Sequence, residues 1–133
     1  MTDCVIDTVA LVKYLEDDLP RGADAVFRGG ESGRNRLFLP EIALGEFAYI
    51  ALRGRLRPGV PAATVTTVVS EVLDSGFIIP SWLTRKGWDV FLAMSIPELH
   101  DRMIAADALA RGCPLVTNDP ALESLDGLRT IWR

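Results

Sequence analysis

Short runs of apolar residues are separated by longer segments in which apolar residues return every three or four positions. The short runs do not alternate between apolar and polar residues, a pattern typical of strands buried on both faces of a parallel sheet. We predict a strand at each of them: residues 4–6, 37–39, 76–79, 115–117 and 129–132.

The longer segments have the spacing of helices. In the segment VPAATVTTVVSEVLDSG, β-branched residues favour a strand, but Val65, Val68, Val69 and Val72 follow helical spacing, so we predict a helix. Further predicted helices and helical turns cover residues 10–16, 23–27, 40–54, 83–94 and 121–125, with a glycine-rich loop at 28–36. A capping box from Ser95 to Glu98 predicts the start of another helix that runs to Arg111.

Strands separated by helices predict an α/β fold with a central, mostly parallel sheet of four to five strands and helices on both faces. The length of 133 residues fits a single domain spanning 1–133. No apolar stretch approaches the roughly 18 residues of a membrane span, and the N-terminus lacks the pattern of a signal peptide. We therefore expect a cytoplasmic protein that does not associate with membranes.

Two predicted strands are each followed by an acid. Asp7 comes directly after the strand at 4–6, and Asp119 follows the strand at 115–117. In parallel sheets, ligands bind outside the carboxyl ends of the strands. Each acid alone is better explained as a helix N-cap, but the two at equivalent edges predict a shared site.

Two more acids are candidates for the same site. Glu46 interrupts the apolar face of its predicted helix, and Asp101 lies in the opening turns of another. Asp107 is six residues beyond Asp101 and is rotated about 240° around the helix, so we expect it at the surface or behind the site. Similar geometry excludes Glu41, which is placed as an acid of the first helical turn.

Four converging carboxylates repel one another strongly. One pair of unit charges about 4 Å apart costs about 4 kcal/mol at an effective dielectric of 20. A hard divalent cation removes this repulsion, and an all-oxygen site favours Mg²⁺ or Mn²⁺. Such a cation activates water and polarises phosphoryl oxygens, which is the chemistry of phosphodiester hydrolysis.

The stretches VIDTVAL, LPEIALGEFAYIALRGR and LHDRMIAADALARGCPLVTND resemble, in order and spacing, the motifs of PIN-domain ribonucleases of the VapC-like toxin class. The resemblance covers nearly the whole chain. It implies that Asp7, Glu46, Asp101 and Asp119 hold one or two Mg²⁺ or Mn²⁺ ions and are the catalytic residues. It also implies three residues that support these acids: Thr8, Thr117 and Asn118.

The same resemblance implies an RNA substrate that is cleaved by metal-activated water. It further implies a homodimer and a cognate VapB-like antitoxin, which lays a peptide, often with an arginine, across the acidic cleft. The net charge of −4 means that RNA must be held by local contacts. At position 9, where the family commonly has serine, this chain has Val9, which we expect to lower activity without abolishing it.

Other enzyme classes lack their motifs in this chain. A haloacid dehalogenase needs an aspartate where Val9 stands, and a receiver domain needs a late lysine, whereas no lysine follows Lys86. The single histidine, His100, has no G-x-S-x-G motif to serve, and no P-loop is present. The remaining alternative is a non-catalytic PIN-like module that binds RNA or a protein.

Overall fold

The computed structural model of the protein describes residues 2–133. Its strands are β1 (Cys4–Ile6), β2 (Leu37–Pro40), β3 (Ile78–Ser81), β4 (Leu115–Val116) and β5 (Thr130–Ile131). They form one sheet in the order β3-β2-β1-β4-β5, and every pairing is parallel. The predicted α/β class with a parallel sheet is therefore confirmed.

Helices connect the strands and cover the sheet. They are α1 (Thr8–Leu15), α2 (Arg21–Glu31), α3 (Glu41–Leu52), α4 (Ala62–Asp74), α5 (Arg85–Ala93), α6 (Leu99–Arg111) and α7 (Pro120–Glu123). Across residues 2–133, none of them combines the length and the apolar character that crossing a membrane requires.

The core surrounds the central strand. All three residues of β1 are fully buried between β2 and β4, and α6 packs against β1 and β2. Fully burying a side chain such as that of Ile6 or Leu115 contributes about 1.5–3 kcal/mol. The rigid centre of the sheet thus lies directly beneath the edge at which β1 and β4 end.

Helix α4 forms despite its many β-branched residues. Val65 and Val72 are buried on its inner face, as the spacing predicted. The hydroxyls of Thr66 and Thr67 donate to the carbonyls of Ala62 and Ala63, one turn earlier, at 3.2 and 3.1 Å. These bonds satisfy the polar groups of the threonines within the helix.

The predicted glycine-rich loop is wrong at its start, because α2 continues to Glu31. Gly29 and Gly30 lie inside this helix and are buried. A β-carbon on Gly30 would lie 2.9 Å from Cδ2 of Phe77 and 3.1 Å from Cδ1 of Leu37. Gly30 thus allows the helix to approach Leu37 of the sheet closely, which local sequence patterns do not reveal.

Two predicted boundaries are also wrong. Pro80 does not end β3 but lies within it, which is possible because β3 is an edge strand and the missing N–H costs no ladder bond. The N-cap of α6 is Glu98 and not Ser95. Pro97 disfavours a helical conformation at Ile96, so the helix begins after the proline.

Candidate functional site

Four acidic side chains from separate parts of the chain line one cleft at the carboxyl edge of the sheet. Asp7 follows β1, Asp119 comes after β4, and these two strands are neighbours. Glu46 lies in the middle of α3, and Asp101 lies in the first turn of α6. The cleft, which we call the acidic cleft, has a volume of about 440 Å³. The structure brings together the four acids that the sequence analysis selected.

Asp7 and Asp119 also cap the helices that follow them. Oδ1 of Asp7 accepts a hydrogen bond of 2.8 Å from the backbone N–H of Ala10, and Oδ1 of Asp119 accepts one of 2.9 Å from Ala121. The N-cap role considered for each acid is therefore present. It uses one carboxylate oxygen of each side chain, so both acids cap a helix and line the acidic cleft as well.

The environment of Asp7 disfavours its negative charge. The residue is only 6% exposed, and burial raises the pKa of its carboxyl group. Hydrogen bonds from the Thr117 hydroxyl and the Ala10 N–H oppose this rise, whereas the nearby charges of Asp119 and Glu46 add to it. The carboxyl group of Asp7 is thus close enough to two other acids to be affected by their charges.

Asp101 is affected more strongly. Burial, together with the negative charges of Asp119, Glu98 and Asp7 and a hydrogen bond with Asp119, raises its pKa to about 6. Burial penalises the charged form of the carboxyl group most, and repulsion between like charges at close range adds to this penalty. The acidic cleft therefore stores unfavourable electrostatic energy when it contains no cation.

The three predicted supporting residues lie at the acidic cleft or beside it. Thr117 is fully buried, and its hydroxyl oxygen accepts a hydrogen bond of 3.1 Å from the backbone N–H of Asp119. The hydroxyl of Thr8 donates to the carbonyl of Ala43 at 3.4 Å and so connects α1 with α3. Asn118 is exposed, and both Asn118 and Thr8 line the cleft.

A pair of residues that the sequence analysis did not assign to the site holds α6 in position. Glu98 accepts a hydrogen bond of 2.6 Å from the backbone N–H of Asp101. Its other oxygen lies 2.7 Å from Nδ1 of His100, whose Nε2 lies 3.9 Å from Oε2 of Glu46. The hydrogen bond with Glu98 raises the pKa of His100. The position of Glu98 at the start of the helix could have indicated this role from the sequence, because an N-cap residue fixes the first helical turn, which carries Asp101.

Sequence comparison identifies the family of the chain. The family model described as PIN domain matches residues 4–128, a stretch that includes all four acids of the cleft. The chain belongs to the PIN domain family. PIN domains are in general nucleases. No curated protein matches the chain by sequence.

Solved structures share the fold of this PIN domain. One is VapBC2 from Rickettsia felis, whose crystal structure contains a DNA fragment from the VapBC2 promoter. It superposes with a TM-score of 0.75 and 15% identity over 97% of each chain. FitAcB from Neisseria gonorrhoeae superposes with a TM-score of 0.60 and 17% identity, over 96% of this chain and 95% of the other. At these identities the similarity establishes the fold.

Asp107 of the PIN domain lies outside the acidic cleft, and of the two places expected for it, the surface is wrong because the residue is buried. It is 2% exposed and lines a second cavity of about 360 Å³ together with Trp82 and other residues. The hydroxyl of Ser81 and Nε of Arg111 each donate a hydrogen bond of 2.8 Å to its carboxylate. These two donors compensate the charge and permit its burial. Glu41, also excluded by helical rotation, lines the same second cavity.

The donor atoms of the acidic cleft fit a hard divalent cation. All four candidate ligands are carboxylates, which Mg²⁺ and Mn²⁺ prefer, and the negative charges of neighbouring acids add to the effect of burial in raising the pKa values of Asp7 and Asp101. In the part of the chain that the structure describes, no group of three or more His, Cys, Asp or Glu side chains is arranged so that it could hold a metal ion. The acids of the cleft would therefore have to move closer together to bind one ion.

Proposed function

We propose that this chain is a Mg²⁺- or Mn²⁺-dependent endoribonuclease that acts in the cytoplasm as the toxin of a VapC-like toxin–antitoxin pair. The convergence of Asp7, Glu46, Asp101 and Asp119 on one cleft is the observation that supports this most strongly. Membership of the PIN domain family supports the nuclease reaction. The fold shared with VapBC2 supports the toxin class.

In this proposal the four acids of the cleft hold the cation. When bound, a divalent cation polarises a phosphoryl oxygen and lowers the pKa of a coordinated water molecule. The chain itself supplies the positions of the ligands. Thr117 accepts a hydrogen bond from the backbone of Asp119 and lowers the pKa of Asp7, and Thr8 anchors the start of α1 to α3, the helix that carries Glu46. Asn118 lines the cleft where it can contact the substrate.

The proposal includes a homodimer and a VapB-like antitoxin as partners. An arginine of the antitoxin would enter the acidic cleft, because its planar guanidinium pairs with carboxylates through two parallel hydrogen bonds. An arginine there would also relieve the repulsion that raises the pKa of Asp101. Light scattering of the purified protein tests the dimer, and copurification with the product of a neighbouring gene tests the antitoxin.

The decisive experiment is cleavage of total RNA with Mg²⁺, with Mn²⁺ and with EDTA, followed by mapping of the RNA ends. Asp7→Asn and Asp119→Asn should each lower the cleavage rate by at least about 100-fold, since each removes a charged ligand. Glu46→Gln should do the same. Its matched control is Glu41→Gln, on the same helix but in the second cavity, which should cleave normally.

Two results would contradict the proposal. Normal cleavage by both folded aspartate variants would refute the role of the acidic cleft. Binding of RNA or of a protein partner without cleavage under any metal condition would favour the non-catalytic PIN-like module. Circular dichroism of every variant separates loss of function from loss of fold.

A further inference from the structure

An exposed stripe on α3 leads away from the acidic cleft. At 100° per residue, Tyr49 lies about 60° and Arg53 about 20° around the helix from Glu46. Arg53 caps the C-terminal end of α3, about 10 Å further along the axis than Glu46. Tyr49 and Arg53, which we call the α3 stripe, therefore continue the surface that begins at the acidic cleft.

The two side chains of the α3 stripe hold each other. Nη1 of Arg53 donates a hydrogen bond of 2.7 Å to the hydroxyl of Tyr49, and its guanidinium carbon lies 5.3 Å from the centroid of the tyrosine ring. Tyr49 is nevertheless 60% exposed. Within residues 2–133, no carboxylate lies within 4.0 Å of Arg53, so its charge is not neutralised by an ion pair.

Proteins that bind single-stranded nucleic acid combine exposed aromatic rings with positive charge, as the α3 stripe does. The ring stacks on a base, and the cation contacts the backbone. The net charge of −4 and the four acids of the cleft repel a polyanion, so RNA needs local cations to remain bound. The exposed Arg55 and Arg57 extend the positive charge beyond Arg53 along the following loop.

We propose that Tyr49 stacks on a base, and that Arg53 contacts a phosphate, of single-stranded RNA whose scissile bond lies in the acidic cleft. This inference rests on the proposed nuclease function and specifies its substrate. Bases inside a duplex have no free face for a tyrosine ring, so the nucleotides next to the cleavage site must be unpaired. The α3 stripe thus selects loops and single strands over duplexes.

Binding of a labelled single-stranded RNA oligonucleotide in EDTA, measured by fluorescence anisotropy, tests the ring without interference from cleavage. Tyr49→Ala should raise the Kd at least about fivefold, whereas Tyr49→Phe, which keeps the ring, should remain within about twofold. Leu92→Ala is the control, because Leu92 is an apolar side chain that is 72% exposed on α5, away from the α3 stripe. A duplex of the same sequence should bind more weakly and should not respond to Tyr49→Ala.

The salt dependence of RNA binding tests whether Arg53 contacts a phosphate. Arg53→Gln should reduce the slope of log K against log salt by about 0.7, the value for one phosphate contact on a single strand. Arg53→Lys should keep the slope. The control is Arg85→Gln, which changes a side chain that is 92% exposed on α5 and should leave the slope unaltered.

The outcomes separate this inference from the function on which it rests. If the wild-type protein cleaves RNA but Tyr49→Ala and Arg53→Gln bind RNA as tightly and with the same slope, the inference alone is overturned. If the losses occur in a protein that never cleaves, the contacts of the α3 stripe with RNA are supported, and the nuclease proposal fails together with the scissile bond placed in the acidic cleft. Unchanged RNA binding with weakened binding of a protein partner would assign the stripe to that partner and also overturn the inference.

Discussion

Thr117 and Asp119 are joined by a hydrogen bond of 3.1 Å, in which the backbone N–H of Asp119 donates to the hydroxyl oxygen of Thr117. The same side chain also lowers the pKa of the Asp7 carboxyl group, against the effect of burial. One buried side chain therefore acts on the two proposed metal ligands that follow β1 and β4.

Replacing this hydroxyl should weaken the site more than the fold. We expect Thr117→Val, which keeps the shape, to lower Mn²⁺ affinity by about 10- to 100-fold. It should lower the free energy of unfolding by only about 1–2 kcal/mol. Thr117→Ser restores the hydroxyl and should recover most of the affinity. Calorimetric titration and urea unfolding measure the two effects, and equal Mn²⁺ affinity of both variants would exclude this role of the Thr117 hydroxyl.

Asp101 should destabilise the metal-free fold at neutral pH. Its pKa in the folded protein is raised to about 6, so the folded state binds the proton more tightly than the unfolded state. The resulting stability is fully present below the unfolded pKa of about 4 and is lost as the pH rises through 6. Asp101→Asn cannot ionise, so at pH 7.5 in EDTA it should be more stable than the wild type by about 1 kcal/mol, a value discounted for partial exposure.

Urea unfolding at pH 4 and pH 7.5 in EDTA measures this effect. The advantage of Asp101→Asn should disappear at pH 4, and added Mn²⁺ should stabilise the wild type more than the variant. Asp126→Asn, at an exposed position after α7, serves as the control and should show no such pH dependence. A variant less stable than the wild type at pH 7.5 would show that the carboxylates do not repel one another.

The order of strands and helices could be predicted because each element carries its own periodicity. The spacing of Val65 and Val72 outweighed the β-branched composition of α4, and the structure confirms this. The errors arise where the neighbours of a residue matter more than its local sequence. Pro80 is accommodated only because β3 forms the edge of the sheet, and Gly30 belongs to a helix that must approach Leu37.

The same distinction applies to the site. Asp7 and Asp119 could be predicted to meet, since the chain places both just beyond the ends of parallel strands. The environment of Asp107 could not be predicted. Its hydrogen-bond donor Ser81 is 26 residues away, on a strand whose position in the sheet does not follow from the local sequence. Helical rotation sufficed to exclude Asp107 from the acidic cleft but not to predict its burial.

Asp107 should matter for stability and not for metal binding. Asp107→Ala removes the partner of two buried or half-buried donors, Ser81 and Arg111, and should lower the free energy of unfolding by about 2–4 kcal/mol. Ser81→Ala leaves the ion pair intact and should cost only about 1 kcal/mol. Both variants, where folded, should bind Mn²⁺ with unchanged affinity in calorimetric titrations. A large loss of affinity would place Asp107 at the metal site after all.

Val9 lines the acidic cleft with 39% of its surface exposed, directly after Thr8 at the start of α1. Its side chain cannot orient a water molecule or a ligand oxygen there. We expect Val9→Ser to increase Mn²⁺ affinity and the cleavage rate by on the order of tenfold, because the added hydroxyl supplies a hydrogen bond at the rim of the cleft. Val9→Ala, which is also smaller but lacks the hydroxyl, controls for the lost bulk. Cleavage rates measured over a Mn²⁺ titration test the role of the hydroxyl. Equal gains in both variants would mean that the valine side chain obstructs the cleft sterically. No gain in either variant would mean that position 9 does not limit activity.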